Sequence, residues 1–441
     1  MPGNLDLLMS DPGTQSSPDL FEEIPKNVYR RNFAAGLVHG TFLQASTAFS
    51  HIQTVLPSFL ATLTPSTVAV GLLATLYGLG SVLPQLFTAH RIEDRAYEKK
   101  YLLWIITIRW VSWAIIAGVT ARYAADQPLL VLWVVLGFYV VFALAGGVGT
   151  VVYADVFAKA IPTRRRGWFA GWKQLLGFVL AIGAGAVVAW ILDNQERFPY
   201  PSNYALIFAL ASGGLLIAFS GFAMIQEPPG SAERRTKNLR EMLRASMRLA
   251  NDNPNVRRLL VGNGLTAAML SIAPFFTVAA LSMGVPEATV GLYLSTQMAG
   301  AAVFNVLWGW TGDRYGNRPV IIGVAVSGLA AALAALSATV VGEGTLFLTF
   351  LLTGATMSGF RLGYPNFILE MAPEHLRATC VALQNTLLAP LVVLPLLVGF
   401  LASSVSLSWV FGAMAMLMAV AAVVTWRLLD PRNDPAGACI S

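Results

Sequence analysis

The sequence is poor in charge and nearly free of cysteine. Of 441 residues, 12% are Asp, Glu, Lys or Arg, two are cysteine and four are histidine, against 56% apolar. Cys380 and Cys439 cannot make a disulfide framework or a structural zinc site, so redox and metal functions have no support. No glycine-rich nucleotide loop is present, nor any nucleophile paired with a base, so an ATP-driven pump is excluded and neither enzyme chemistry nor a cofactor is expected. Residues 1–31 lack a basic stretch followed by an apolar one and read as a polar cytoplasmic lead-in rather than a cleavable signal.

What the chain has is apolar length. Mean hydropathy is +0.63, and a membrane crossing needs about 20 mostly apolar residues. Twelve such runs are read at about 32–59, 66–89, 101–121, 128–158, 168–191, 204–225, 259–282, 288–309, 319–340, 344–371, 378–402 and 406–426. Lysines and arginines test the reading, because cytoplasmic loops are enriched in them. With the N-terminus inside, nearly all fall in cytoplasmic segments or adjoining span ends; Arg122 and Arg197 lie outside, and Arg109 and Arg361 deep within spans. Both termini are therefore expected in the cytoplasm. The net charge of +6 needs no nucleic acid to explain it, since Lys99, Lys100 and Arg164 to Arg166 would face anionic headgroups of membrane lipids.

Residues 226–258 form the longest polar stretch, with Leu239, Met242, Leu243 and Met247 at helical spacing against Arg240, Arg244 and Arg248. They read as a cytoplasmic linker with an amphipathic helix, between six-helix bundles at 32–225 and 259–426, with a tail at 427–441. An internal repeat supports the division. Val70-Gly71-Leu72 and Gly80 recur as Val290-Gly291-Leu292 and Gly300, and Tyr153-Ala-Asp155 through Arg166 aligns with Tyr364-Pro-Asn366 through Arg377. The most telling stretch is Gly309-Trp-Thr-Gly-Asp313-Arg314-Tyr-Gly316-Asn-Arg318, read as a loop between two spans.

At these residues the chain resembles the major facilitator superfamily, which carries a Gly-x-x-x-Asp-Arg-x-Gly-Arg-Arg loop after its second span and a weaker copy after its eighth. Gly309, Asp313, Arg314, Gly316 and Arg318 match it, with Asn317 replacing one arginine; the first copy keeps Glu93, Asp94 and Arg95 and loses both glycines. The resemblance implies an all-α membrane protein of twelve spans in two pseudo-symmetric bundles, acting by alternating access. It also implies a cytoplasmic latch of Glu93, Arg95, Asp155, Arg166, Glu370 and Arg377 with the Gly309 to Arg318 residues. An acid at the inner end of the fourth span would neutralise a latch arginine, and Asp155 could pair with Arg95 or with Arg109; the alternative is that Asp155 takes up a proton.

No Asp or Glu lies near the middle of any span, which disfavours a sodium site and leaves a cationic drug without a counter-charge. Arg361 is the reverse case, roughly 15 Å into the tenth span at 1.5 Å per residue. It shares a face with Ser358, Tyr364 and Pro365, whereas Phe360 and Phe367 point elsewhere. Its guanidinium offers a fork to a carboxylate or phosphate; a structural role capped by carbonyls is the other reading. Gln44 and His51 on the first span, Tyr139, Asn263, Gln297, Gln384 and Asn385 complete a candidate polar lining, although each could equally join helices. The expected function is secondary transport of a small organic solute, anionic or amphipathic, by a monomer in a bacterial inner membrane. A lipid flippase of the same fold and a non-transporting assembly factor or sensor are the alternatives.

Overall fold

A computed structural model of the chain describes residues 25–92, 98–228, 253–372, Cys380, Gln384 and 388–433. Those residues are helical almost throughout. The helices are α1 (Lys26–Phe49), α2 (Val55–Leu63), α3 (Thr67–Ile92), α4 (Lys99–Tyr123), α5 (Pro128–Ala160), α6 (Thr163–Asp193) and α7 (Ser202–Ala223). After the linker come α8 (Pro254–Ile272), α9 (Pro274–Ser282), α10 (Glu287–Tyr315), α11 (Asn317–Val341) and α12 (Thr345–Met371). A 3₁₀ turn (Ala389–Val393) leads into α13 (Leu394–Ser404), and α14 (Leu407–Trp426) ends the bundle.

Local chemistry sets the boundaries. Pro128, Pro254 and Pro274 open helices at the position where a missing N–H costs nothing. Asn253 caps α8 by accepting from the amides of Asn255 (2.8 Å) and Val256 (3.2 Å). Gly316 and Gly342, with φ of 87° and 118°, end α10 and α11 in conformations that side chains resist.

Among the described residues, ten helices are long and apolar enough to cross a membrane. Three of the twelve expected runs differ. The first is broken at Ser50–Thr54 into α1 and α2, the seventh is divided at Ala273 into α8 and α9, and the eleventh is described as a 3₁₀ turn with α13. The Gly309–Arg318 stretch also departs from expectation: α10 continues to Tyr315 and α11 starts at Asn317, so Gly316 alone is the connector. Most of the 226–258 linker, Glu93, Arg95, Arg377 and Asn385 lie outside the described residues.

The face carrying the start of α1 and the end of α14 is called here the terminal face, its opposite the distal face. Within the first half α1 packs on α6 and α7, α4 on α5 and α7, and α3 on α5; within the second, α10 and α11 pack on α12, and α14 on α8 and α11. Between halves the main seams are α6 with α10 and α3 with α13. Both are built on glycine. A Cβ on Gly291 would lie 2.2 Å from the Ala189 amide, and one on Gly71 2.3 Å from the Pro395 carbonyl. Backbones therefore touch, as small residues allow between membrane helices. These two glycines are the repeat pair Val70-Gly71-Leu72 and Val290-Gly291-Leu292, so equivalent residues make equivalent seams.

Hydrogen bonds lock the distal side. Gln53 gives its side-chain amide to the Leu270 carbonyl (3.0 Å), accepts at its own carbonyl from Thr277 (2.7 Å), and takes the Gln297 amide on its side-chain oxygen. Tyr204 donates to Glu287 (2.9 Å) and takes a hydrogen bond from Ser58 (2.7 Å). Thr67 donates to the Gly399 carbonyl (2.8 Å). Outward-facing side chains such as Trp104, Val303 and Val306 are apolar and exposed, the pattern of a helix whose outside solvent is hydrocarbon.

Candidate functional site

Between the halves, below the Gln53 lock, lies a cavity of about 720 Å³, within the range that takes small organic ligands. The break after α1 is what shapes its roof. Ser50 to Gln53 leave helical geometry, so His51 and Gln53 turn into the cavity, with His51 Nδ1 3.1 Å from Thr54 Oγ1. Gln44 and Thr47 from α1, Tyr77 from α3, Tyr139 and Phe142 from α5 and Met298 from α10 continue the wall.

Two arginines face this space, one from each half. Arg361 projects from α12 and is exposed to the cavity, with no hydrogen bond or ion pair to another described residue. Arg109 comes from α4; its guanidinium lies 4.3 Å from the centre of the Phe142 ring and its Nε is buried without a hydrogen-bond partner. Among the described residues no Asp or Glu lines the cavity. Guanidinium stays protonated in proteins, so the cavity carries two fixed positive charges and donors on both sides.

The expected pairing of Arg109 with Asp155 is not formed. Arg109 is level with Gly146 on α5, where an added Cβ would sit 3.7 Å from the guanidinium, and Asp155 is roughly 13 Å further along the helix at 1.5 Å per residue. Asp155 instead pairs with Lys159, one turn on, whose ammonium is also 3.7 Å from Glu227. Glu227 accepts from the amides of Glu98 (2.9 Å) and Lys99 (2.8 Å), capping α4. Glu98, just outside that helix at the terminal face, is 2% exposed. Burial, then the nearby Asp155 and Glu227 charges, push its carboxyl up to about 7 against the pull of Lys159.

Of the residues expected to line the site, Arg361, Gln44, His51 and Tyr139 do so. Asn263, Gln297 and Tyr364 are fully buried elsewhere: Gln297 binds Gln53 in the distal lock, and Tyr364 lies 3.0 Å from the Thr266 hydroxyl inside the second half. Gln384 is buried. Phe360, expected to point away, lines the cavity beside Arg361, and Ser358 turns back to the Ala355 carbonyl.

At the terminal face, Arg166 donates to the Ile161 and Ala158 carbonyls, closing the end of α5. Arg318 donates to the Leu428 (2.7 Å) and Trp426 (2.9 Å) carbonyls, and Glu370 accepts from Asn317 and Arg432 (both 2.9 Å). Gly309 lies on α10 with open space around it. Asp313 and Arg314 are exposed, Arg314 lying over Trp310 and Tyr315.

The family model for the Major Facilitator Superfamily matches residues 259–438. Solved structures share the fold over nearly the whole chain. A variant of the nucleoside transporter NupG superposes with a TM-score of 0.69 at 15% identity, covering 90% of this chain and all (100%) of that one. A D-xylose-proton symporter gives 0.69 at 14%, covering 91% and 98%. The second half of the chain thus resembles the major facilitator superfamily, and the fold is shared with these solved transporters. The chain is also 27% identical to an uncharacterised protein of Mycobacterium tuberculosis, over 91% of this chain and 77% of that one. A stretch of 188 residues, 40% of this chain and 45% of the relative, is 27% identical to the multi-drug resistance efflux pump PmrA of Streptococcus pneumoniae. The ten apolar helices and this shared fold make the chain an integral membrane protein. The cavity arginine Arg109 was visible in the sequence as a charge deep in an apolar run; Tyr77 and Gln53 carried no signal that separated them from other polar and aromatic span residues.

Proposed function

We propose that this chain is a secondary transporter moving a small organic anion across a bacterial inner membrane by alternating access. The observation that carries it is the cavity with Arg109 and Arg361 on opposite halves and no acid among its described lining residues. Charge inside a membrane protein is costly unless it is used, and two guanidiniums around one space are suited to carboxylate or phosphate oxygens. An open cavity of this size also speaks against a plugged, non-transporting relative.

In this reading α1 with α2, and the 3₁₀ turn with α13, supply the first and eleventh of twelve crossings, and both termini are cytoplasmic. The distal lock then closes the outer side and the cavity faces inward. Asp155, Arg166, Asp313, Arg314, Arg318 and Glu370, with Glu93, Arg95 and Arg377, regulate the cytoplasmic side as the halves approach. The partial likeness to PmrA supports export.

Uptake into proteoliposomes tests the reading, with a panel of radiolabelled mono- and dicarboxylates, phosphate esters and neutral solutes. Anions should be selected, and Arg361→Ala and Arg109→Ala should each lower their transport by at least about tenfold, since hydrogen bonds to charged groups contribute about 1.5–3 kcal/mol. Selection of neutral solutes, or anion flux unchanged in both variants, would refute it.

A further inference from the structure

The cavity has a second chemical character beside its charge. Tyr77, Tyr139 and Phe142 form a run of near-parallel rings, with centroids 5.5 Å and 5.7 Å apart and interplanar angles of 21° and 9°. Trp113 meets Tyr139 and Phe142 edge-on at 5.9 Å and 5.7 Å and is fully buried, so the run is braced from behind. Arg109, one turn before Trp113 on α4, lies over the Phe142 end. Simple core packing would bury all three rings alike. Instead Tyr139 and Phe142 are buried, at 2% and 3% exposed, while Tyr77 at the end of the run is 36% exposed, and all three line the cavity.

The facing wall is adaptable and apolar. Met298 comes from α10, and Met357 comes from the turn of α12 just before Arg361, on the same helix face. Methionine thioethers accommodate varied shapes and favour ring edges. One helix face thus offers an apolar wall and a guanidinium together, as the first half offers stacked rings and a guanidinium.

We infer that the cargo carries a flat aromatic ring, which extends the stack at Tyr77 and lies against Met298 and Met357 while its anionic group engages Arg361, one turn beyond Met357. This inference rests on the anion reading and adds the shape and polarity of the rest of the molecule. Aromatic pairs gain stability beyond buried area, so an aryl anion binds about threefold to tenfold more tightly than its saturated counterpart of the same charge.

Isothermal titration of the full chain in lipid nanodiscs decides it, using 2-naphthoate, decahydro-2-naphthoate and 2-naphthalenemethanol. The expected result is a naphthoate preference over the saturated acid of about threefold to tenfold, kept in Tyr77→Phe and falling to about parity in Tyr77→Leu. The Phe variant keeps the ring and so reports that a loss in the Leu variant is not misfolding. Equal affinities for the two acids, or a preference that survives Tyr77→Leu, overturn the aromatic inference and leave the anion site standing. Binding of the alcohol as tight as that of naphthoate overturns the charge reading and this inference with it, as does binding of none of the three.

Discussion

Glu98 is a carboxyl held almost out of solvent beside two other acids, with Lys159 the cation in contact with Asp155 and Glu227. Its proton affinity is raised, to about 7, so between the ordinary carboxylate range and pH 7 the folded chain holds a proton that the unfolded chain has lost. Stability attributable to this group is therefore present at low pH and lost as pH rises through 7. Thermal unfolding in detergent should show a falling midpoint from pH 5.5 to 8, and Glu98→Gln should flatten that slope and raise the midpoint at pH 8; an unchanged slope would remove Glu98 as its source. Arg361 was legible in the sequence as a cavity residue because charge within an apolar run has few inexpensive explanations, whereas the depth of Arg109 pointed to Asp155 rather than to the cavity. Asn263, Gln297 and Tyr364 gave the same kind of signal and went elsewhere. A polar stripe says that a helix has a wet or hydrogen-bonded side, and does not distinguish a cavity from a neighbouring helix: Tyr364 satisfies Thr266, and Gln297 satisfies Gln53.

Helices meet across the seams at glycines, which makes the seams sensitive to single methyl groups. Gly291 has the Ala189 amide 2.2 Å from where a Cβ would sit, whereas Gly183, on α6, has nothing within 4 Å. Gly291→Ala should force α6 and α10 apart and slow transport severalfold while the chain remains folded. Gly183→Ala should leave transport intact and raise stability by up to about 1 kcal/mol, the usual gain in a helix interior. Proteoliposome flux and thermal unfolding measured side by side check both; equal effects of the two would mean that seam contact is not what matters. The glycine repeat was readable in the chain, since Gly71 and Gly291 sit in matching tripeptides. Two features at this scale were not. The break at Ser50–Thr54 depends on Gln53 finding partners across the chain at Leu270, Thr277 and Gln297, and the helical continuation of α10 to Tyr315 depends on how late Gly316 turns the backbone. Hydropathy averages over both.

At the scale of the molecule, the second half is tied together at the terminal face by the residues after α14. Asn255 exchanges hydrogen bonds with the backbone of Leu429, Arg258 donates to the Arg427 carbonyl, Arg318 to Leu428, and Arg432 to Glu370 and the Gly312 carbonyl. Ending the chain at Trp426 removes these ties, at about 1 kcal/mol for each hydrogen bond, and should lower the unfolding temperature clearly without preventing insertion; a truncated chain as stable as the full one would show the ties to be inconsequential. The twofold plan of the fold was open to inspection in the sequence because duplication leaves matched motifs. The cavity was not, since it belongs to neither half and exists only where two surfaces from distant parts of the chain face one another. Gly316 has a mechanical consequence. A one-residue elbow gives α10 and α11 no slack, so the two behave as a crank whose handle is gripped by Arg432 and whose far arm bears on α6 at Gly291. A reporter protein fused behind Asn433 loads that handle, and flux measurements made with such a fusion would read the weight of the reporter along with any motion of α10 and α11.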